Sequence, residues 1–276
     1  MKDVAVCTYL DNNDRHIKEF NWLYRSWNLS GSWMSSDLVV FHHPGVTIHN
    51  KDVITIPLVP LTASDPKWSD YPFINSVYFL TALEAEFLKR YKYVMRTDHD
   101  VFLTPNFPKL RPRLATFGLG MYSQSIEAVN KLNSVAERWG VVPTFNNVGS
   151  TLIAYSNIVI QYCKLHLEYC NRLLKEEFSN FTGTWPGWFK GVLSMYAGNL
   201  AANAFFGTGL TFGGLDVHCM SHDKMCNTDY HIHAWHTTED FSKFKWHNGE
   251  YSHLDSDALN KTIISNYCHF IAGHSQ

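Results

Sequence analysis

The chain has 276 residues, enough for one large α/β domain or two small ones, and at 45% hydrophobic it can bury a sizeable core. Its 23 Lys and Arg against 25 Asp and Glu leave a formal net charge of -2, which excludes the basic footprint of a nucleic-acid or anionic-membrane binder. Aromatic residues make up 15%, and such faces grip sugars and nucleobases as readily as they fill cores.

Lys2 and Asp3 lead straight into Val4–Leu10, an apolar run that reads as a first strand. It is too short for a secretory leader or a membrane span, so a cytoplasmic protein without a transmembrane segment is expected. The six cysteines are scattered, and the default is buried free thiols, with a Cys219–Cys226 pairing left open. A polar turn at Asp11–Asp14 precedes a helix from about Arg15 to Trp27, where Phe20, Leu23, Tyr24 and Trp27 form the apolar stripe. Leu38–Phe41 and Val53–Ile56 read as further strands, giving a mononucleotide-binding α/β half. A Pro- and Trp-containing loop over Thr62–Pro72 leads into a helix expected from Phe73 to Arg90.

The next stretch, Tyr91 to Pro105, begins as a strand and carries two acids one residue apart, Asp98 and Asp100. Side chains alternate along a strand, so the two acids share a face, with Cα atoms roughly 6–7 Å apart, and His99 takes the other. Two carboxylates facing one way repel unless a hard divalent cation or a sugar hydroxyl lies between them. Open α/β sheets place ligand sites at such strand ends. Arg96 shares the acids' face and either pairs with Asp98 or meets a ligand.

After a Pro-rich connection at 105–112, the pattern predicts a strand at Ala115–Tyr122, a helix at Glu127–Trp139 and, beyond the stretch Thr144–Ala154, a helix at Ser156–Phe178. An aromatic loop at Thr182–Phe189 follows, in which Trp185 and Trp188 either stack on a sugar or pin the loop. Then come a helix at Lys190–Asn203, a last strand at Gly213–Cys219, and the densest polar stretch of the chain, His218 to His236. His and Cys there are zinc-ligand types, but their spacing fits no standard finger. A tail from Asp257 to Gln276 is expected to be partly helical.

Tyr93-Val94-Met95-Arg96-Thr97-Asp98-His99-Asp100-Val101-Phe102-Leu103 resembles the Asp-X-Asp strand of type-A-fold (GT-A) glycosyltransferases, in which two acids hold a manganese or magnesium ion on the diphosphate of a nucleotide-sugar. Phe145-Asn146-Asn147-Val148-Gly149 is similar to the strand that lies beside the donor sugar in glycogenin-like and galactosyltransferase-like enzymes. Ile232-His233-Ala234-Trp235, followed by Lys243-Phe244-Lys245-Trp246, resembles the late His and Lys-Pro-Trp segments of the same families, without the proline. These matches are short, and they occur in the expected order.

The resemblance implies an α/β, GT-A-like Rossmann-type α/β/α fold with a mixed central sheet. It implies one glycosyltransferase domain over 1–276, with a donor half to about 105 and an acceptor half beyond. It assigns Asp98, Asp100 and His233 to Mn2+ or Mg2+. Thr8, Tyr9, Asn75, Arg96, Asp98, His99, Asn147, Gly149, Lys243 and Lys245 fall to the donor. The helix Lys190–Asn203 lacks the acid that related enzymes often carry there, with Tyr196 and Asn199 nearby instead, which leaves the stereochemistry open: if the reaction inverts the anomeric centre, Asp216 is the expected catalytic base, with Asp223, Glu239 and Asp240 behind it, and if it retains configuration no such base is needed. The implied reaction moves xylose or a hexose from a UDP-sugar to an oligosaccharide or glycoprotein glycan. The compact chain also resembles the capsid-glycan glycosyltransferases of large algal viruses, xylosyltransferases included, which would place it in a host cytoplasm. Two rivals stand beside this reading, a metal-dependent phosphoester hydrolase and a non-enzymatic carbohydrate-binding module.

Overall fold

The computed structural model describes residues 2–273. In chain order the elements are β1 (Val4–Leu10), α1 (Asp14–Leu29), β2 (Ser36–His42), β3 (Ile54–Pro57), the single turns α2 (Leu61–Ser64) and α3 (Asn75–Tyr78), β4 (Tyr93–Arg96), β5 (Val101–Leu103), β6 (Ala115–Leu119), α4 (Ile126–Trp139), β7 (Val148–Tyr155), α5 (Ser156–Glu176), α6 (Leu193–Phe206), β8 (Leu210–Phe212), β9 (Val217–His218), β10 (His231–His233), α7 (Lys243–His247) and α8 (Ile264–Gly273). The chain is mixed α/β with a large mixed central sheet, as the resemblance implies. It forms two compact units, one from 1–57, 97–111 and 213–276, the other from 58–96 and 112–212.

In the first unit β1 is fully buried and pairs in parallel with β2, Val4 opposite Ser36 through Leu10 opposite His42, and β2 pairs in parallel with β3. Strands covered on both faces read as continuous apolar runs, which is how Val4–Leu10 reads. Helix α1 starts at Asn13, whose side chain accepts from Arg15 N. It buries Phe20, Trp22, Leu23 and Trp27, along with Glu19 and Ser26. A smaller sheet is built around β10, antiparallel to β5 (Ile232 opposite Phe102) and parallel to β9 (His233 opposite His218). Trp22 of α1 stacks on Phe102 of β5 at 5.4 Å between ring centroids and meets Phe241 and Trp246 edge-on. This slab anchors β5, β10 and α7 to α1.

In the second unit β7 lies between β4 and β6, antiparallel to both, and β6 runs parallel to β8. Its core gathers Trp68, Tyr71, Ile74, Tyr122, Leu132, Leu173, Trp188, Tyr196 and Leu200. α5 and α6 approach closely over Gly198, where an added Cβ would lie 3.0 Å from the His166 ring.

Two expectations change. The helix predicted from Phe73 to Arg90 is a series of short pieces, interrupted at Ala82, whose ψ of 157° is extended, and continued from Leu83 as a 3-10 helix. Apolar spacing does not separate α from 3-10 winding, and the Thr81 hydroxyl bonds back to Tyr78 O at 2.7 Å just before the break. The strand predicted through Tyr91–Pro105 is likewise split into β4 and β5, and the acids lie in the bend between them.

His166 of α5 is buried in the second unit. Its Nε2 donates to Ser194 O at 2.7 Å, while Nδ1 is buried and has no hydrogen-bond partner among the described residues. Burial, reinforced by the Arg96 charge, lowers its pKa to about 3 from an ordinary 6.5. The unfolded chain takes up this proton near pH 6.5, the folded chain only near 3. The stability of the neutral form is therefore complete above pH 6.5 and falls as the pH drops through that window. Urea unfolding between about pH 6 and 4 should show the wild type losing about 1.4 kcal/mol per pH unit through this group, and His166→Gln should lack that share of the slope.

Candidate metal centre

The bend Thr97–Asp100 is pinned at both ends. Thr97 N donates to Cys7 O at 3.0 Å, and Asp100 O accepts from Ala234 N at 3.0 Å. Beyond it, Leu103 N donates to the buried Ser26 hydroxyl of α1 at 2.9 Å, and Tyr267 of α8 donates to Leu103 O at 2.8 Å. With its backbone committed in this way, the bend turns both acids toward His233 of β10. His233 Nε2 lies 3.4 Å from Asp100 Oδ1 and 3.8 Å from Asp98 Oδ2. One donor atom from each of the three residues falls within 4.8 Å of the others.

The loop that carries Asp216 needs glycine. Gly214 has φ 67°, and a Cβ there would lie 1.8 Å from Thr228 O. Its carbonyl accepts from Tyr230 N and His231 N, which ties the loop to β10. Asp216, at φ 53°, is thereby turned inward with its side chain 1% exposed, and its Oδ1 lies 3.3 Å from His233 Nδ1. A histidine whose Nδ1–H is held by a carboxylate presents Nε2 outward, the arrangement usual in metal-ligating histidines. His231, two residues earlier, has a different state. Asp216 N donates to its Nδ1 at 3.1 Å, so the ring proton sits on Nε2, 2.9 Å from the Thr97 hydroxyl. Burial lowers its pKa to about 4, against the opposing charge of Asp216, so the imidazole is neutral. Its 3.5 Å approach to Asp216 Oδ1 is not an ion pair.

Lys243, the first residue of α7, is 8% exposed and places Nζ 2.5 Å from Asp100 Oδ2. Burial alone would raise the Asp100 carboxyl, but the Lys243 ammonium and the His233 imidazole hold it well below the carboxylate range. Burial would likewise lower His233, yet Asp100 and Asp216 hold it well above its usual value. Lys243 is raised because Asp100 outweighs its burial. Two carboxylate oxygens and an imidazole nitrogen converging in this way suit a divalent cation of the manganese or magnesium kind, so the donor set fits the expected metal.

A family model described as a domain of unknown function, DUF7164, matches residues 1–274. The chain belongs to this family. No curated protein matches its sequence. Among solved structures, this DUF7164 chain is similar to the galactosyltransferase LgtC in complex with donor and acceptor sugar analogs, at 11% identity over 78% of this chain and 75% of that one, with a TM-score of 0.48. It is also similar to core-mannan synthase A from Aspergillus fumigatus in its Mn/GDP form, at 10% identity over 77% and 73%, with a TM-score of 0.46.

The other expected residues fall in varied settings. In the first unit, Thr8 and Tyr9 lie buried in β1, where Thr8 Oγ1 has no hydrogen-bond partner among the described residues. Lys245 is half-buried, and its N–H donates to the Ser242 hydroxyl that caps α7. The zinc reading of the late polar stretch finds no matching group among the described residues: Cys219 is buried against Phe241 O, Cys226 is exposed, and the two are not joined.

In the second unit, Asn75 exchanges hydrogen bonds with Thr62. Arg96 commits its guanidinium to Ser76 O at 2.9 Å and Ser150 O at 2.5 Å. Asn147, at φ 55°, uses Oδ1 to accept from Tyr122 N, Ser123 N and the Ser123 hydroxyl. Gly149 lies on β7. Trp188 is buried against Tyr196, with ring centroids 4.2 Å apart, and pins its loop, whereas Trp185 is half exposed.

Sequence reasoning missed Glu19, His16 and His247: Glu19 and His16 lie against His99, and His247 shares the Glu19 carboxylate with it. A signal was present. His16 and Glu19 continue the Phe20, Leu23 and Trp27 stripe one turn back, on the face that turns inward.

His231→Phe removes the acceptor for the buried Asp216 N–H. It should lower the unfolding free energy by about 2 kcal/mol in urea titration, because a buried donor is left unmatched.

Proposed function

We propose that this protein is a metal-dependent glycosyltransferase that moves xylose or a hexose from a UDP-sugar to an oligosaccharide or glycoprotein glycan. The observation that carries the reading is the convergence of Asp98, Asp100 and His233 on donor atoms within 4.8 Å of one another, with Lys243 on the same carboxylate. These four residues come from the two segments that resemble the metal and diphosphate parts of type-A-fold glycosyltransferases.

In this reading Asp98, Asp100 and His233 hold Mn2+ or Mg2+. A bound divalent ion supplies Lewis acidity that neutralises charge on a departing diphosphate. Lys243, kept charged by Asp100, offers its ammonium to a phosphate oxygen beside the same acids. Asp216 keeps His233 in the tautomer that frees Nε2, and the neutral His231 holds the Asp216 backbone in place. With its carboxylate buried on His233, Asp216 is better suited to this holding role than to deprotonating an acceptor hydroxyl. The reading keeps Thr8 and Tyr9 with the nucleoside and the cytoplasm as the site of action.

Thermal unfolding with UDP, UDP-sugars and other nucleotides, with and without manganese, tests the reading. At ligand near one hundred times its Kd, stabilisation should reach about 2.7 kcal/mol and raise Tm by several degrees. The rise should need the metal and disappear in Asp100→Ala. Turnover should then release UDP only when a glycan acceptor is present. Phosphate release from simple esters without an acceptor would point instead to a hydrolase. Glycan binding indifferent to nucleotide and metal would point to a carbohydrate-binding module.

A further inference from the structure

Glu19 lies on α1, outside every segment that carries the resemblance, and is 5% exposed. Its carboxylate is shared by two imidazoles, with Oε2 3.2 Å from His99 Nε2 and Oε1 2.8 Å from His247 Nε2. His99 is the residue between Asp98 and Asp100. His247 ends α7, which Lys243 begins, and residues four apart on a helix share a face. One turn back in α1, His16 lies against the same His99 ring, with centroids 4.2 Å apart. The acidic bend, the lysine-bearing helix and α1 thus meet at one carboxylate.

Burying a carboxylate is costly unless it is paired. Burial and the nearby Asp100 charge push the Glu19 carboxyl up, and the His99 hydrogen bond, with the His99 and Lys243 charges, brings it below its usual value. His99 is raised in turn, its burial outweighed by Glu19 and the neighbouring acids. An acid that only decorated a helix surface would face water. This one is buried among the groups whose spacing the site requires.

We propose that Glu19 is a positioning residue, which holds the Asp98–Asp100 bend and the Lys243 helix at the separation where one cation and one diphosphate are gripped together. The diphosphate half rests on the glycosyltransferase reading, whereas the cation half rests on the Asp98, Asp100 and His233 geometry alone.

Manganese titration of the full chain, followed by UDP titration in saturating manganese, separates the two halves. Glu19→Ala should weaken manganese binding by about 10- to 100-fold, the range seen when groups that hold metal ligands are removed. Glu19→Gln keeps the shape, accepts from one imidazole and donates to the other, so it should stay within a few-fold of the wild type. Equal losses in Glu19→Gln and Glu19→Ala would show that only the negative charge matters and would overturn the proposal. Unchanged manganese affinity in Glu19→Ala, with a loss of unfolding stability alone, would also overturn it. His247→Ala tests the second contact while leaving the Glu19 carboxylate and its bond to His99 in place. It should weaken UDP binding several-fold and leave manganese affinity nearly unchanged, and an unchanged UDP affinity would overturn the link to α7. A wild type that binds manganese but no nucleotide would remove the glycosyltransferase reading, and the manganese series would still decide the role of Glu19.

Discussion

Mutual repulsion among carboxylates is the constraint on which the first unit depends. Asp98, Asp100 and Asp216 gather around His233, and Glu19 feels the charge of Asp100. At an effective dielectric of about 20, two like charges 4 Å apart cost roughly 4 kcal/mol, a large part of what holds a domain folded. The cluster persists because each of the buried acids has a cationic or imidazole partner: Lys243 and His233 for Asp100, His233 for Asp216, and His99 and His247 for Glu19. Those partners come from β10, the acidic bend and α7. The Trp22, Phe102, Phe241 and Trp246 slab fixes α1, β5 and α7 from the apolar side. Charge alone is non-directional, and the aromatic contacts make one arrangement of it cheaper than the others.

The second unit spends its polar side chains differently. Asn199 and Asn203, four residues apart on α6, both bond the backbone of Phe145, and Asn199 also accepts from Val148 N. Asn147 then ties Tyr122 and Ser123. These amides brace irregular backbone, which would otherwise leave buried N–H and C=O groups unmatched. Arg96 behaves in the same way, since its planar fork meets two carbonyls.

Much of this was legible in the sequence for physical reasons. β1, α1, α4 and α5 are long or strongly patterned, and their apolar spacing agrees with their burial. Asp98 and Asp100 stood out because acids closing an apolar strand need a reason to be there, and His233 and Lys243 through the resemblance of their segments. The break of the Phe73–Arg90 helix was not legible, since 3-10 and α winding bury overlapping sets of residues. For Glu19 the sequence carried only its place on the inward stripe of α1, because an acid on an amphipathic helix ordinarily faces water and its histidine partners are 80 and 228 positions away in the chain. The separation of β5 from β4 was hidden for a related reason. The partner that claims β5 is β10, far along the chain, and no local pattern announces it.

The discontinuity of the first unit has a consequence for how the protein is made. Residues 58–96 and 112–212 form a unit of their own, and every segment of it has been synthesised before β10 exists. The acids at 98 and 100, by contrast, wait for His233, then Lys243, then His247. During translation the second unit has its full sequence while the acidic bend is still without its cationic partners, and loops of such span close late and slowly. The arrangement of Asp98, Asp100 and His233 is thus among the last features to form on the ribosome, and a chain stalled before α7 lacks the Lys243 partner of Asp100 and the His247 partner of Glu19.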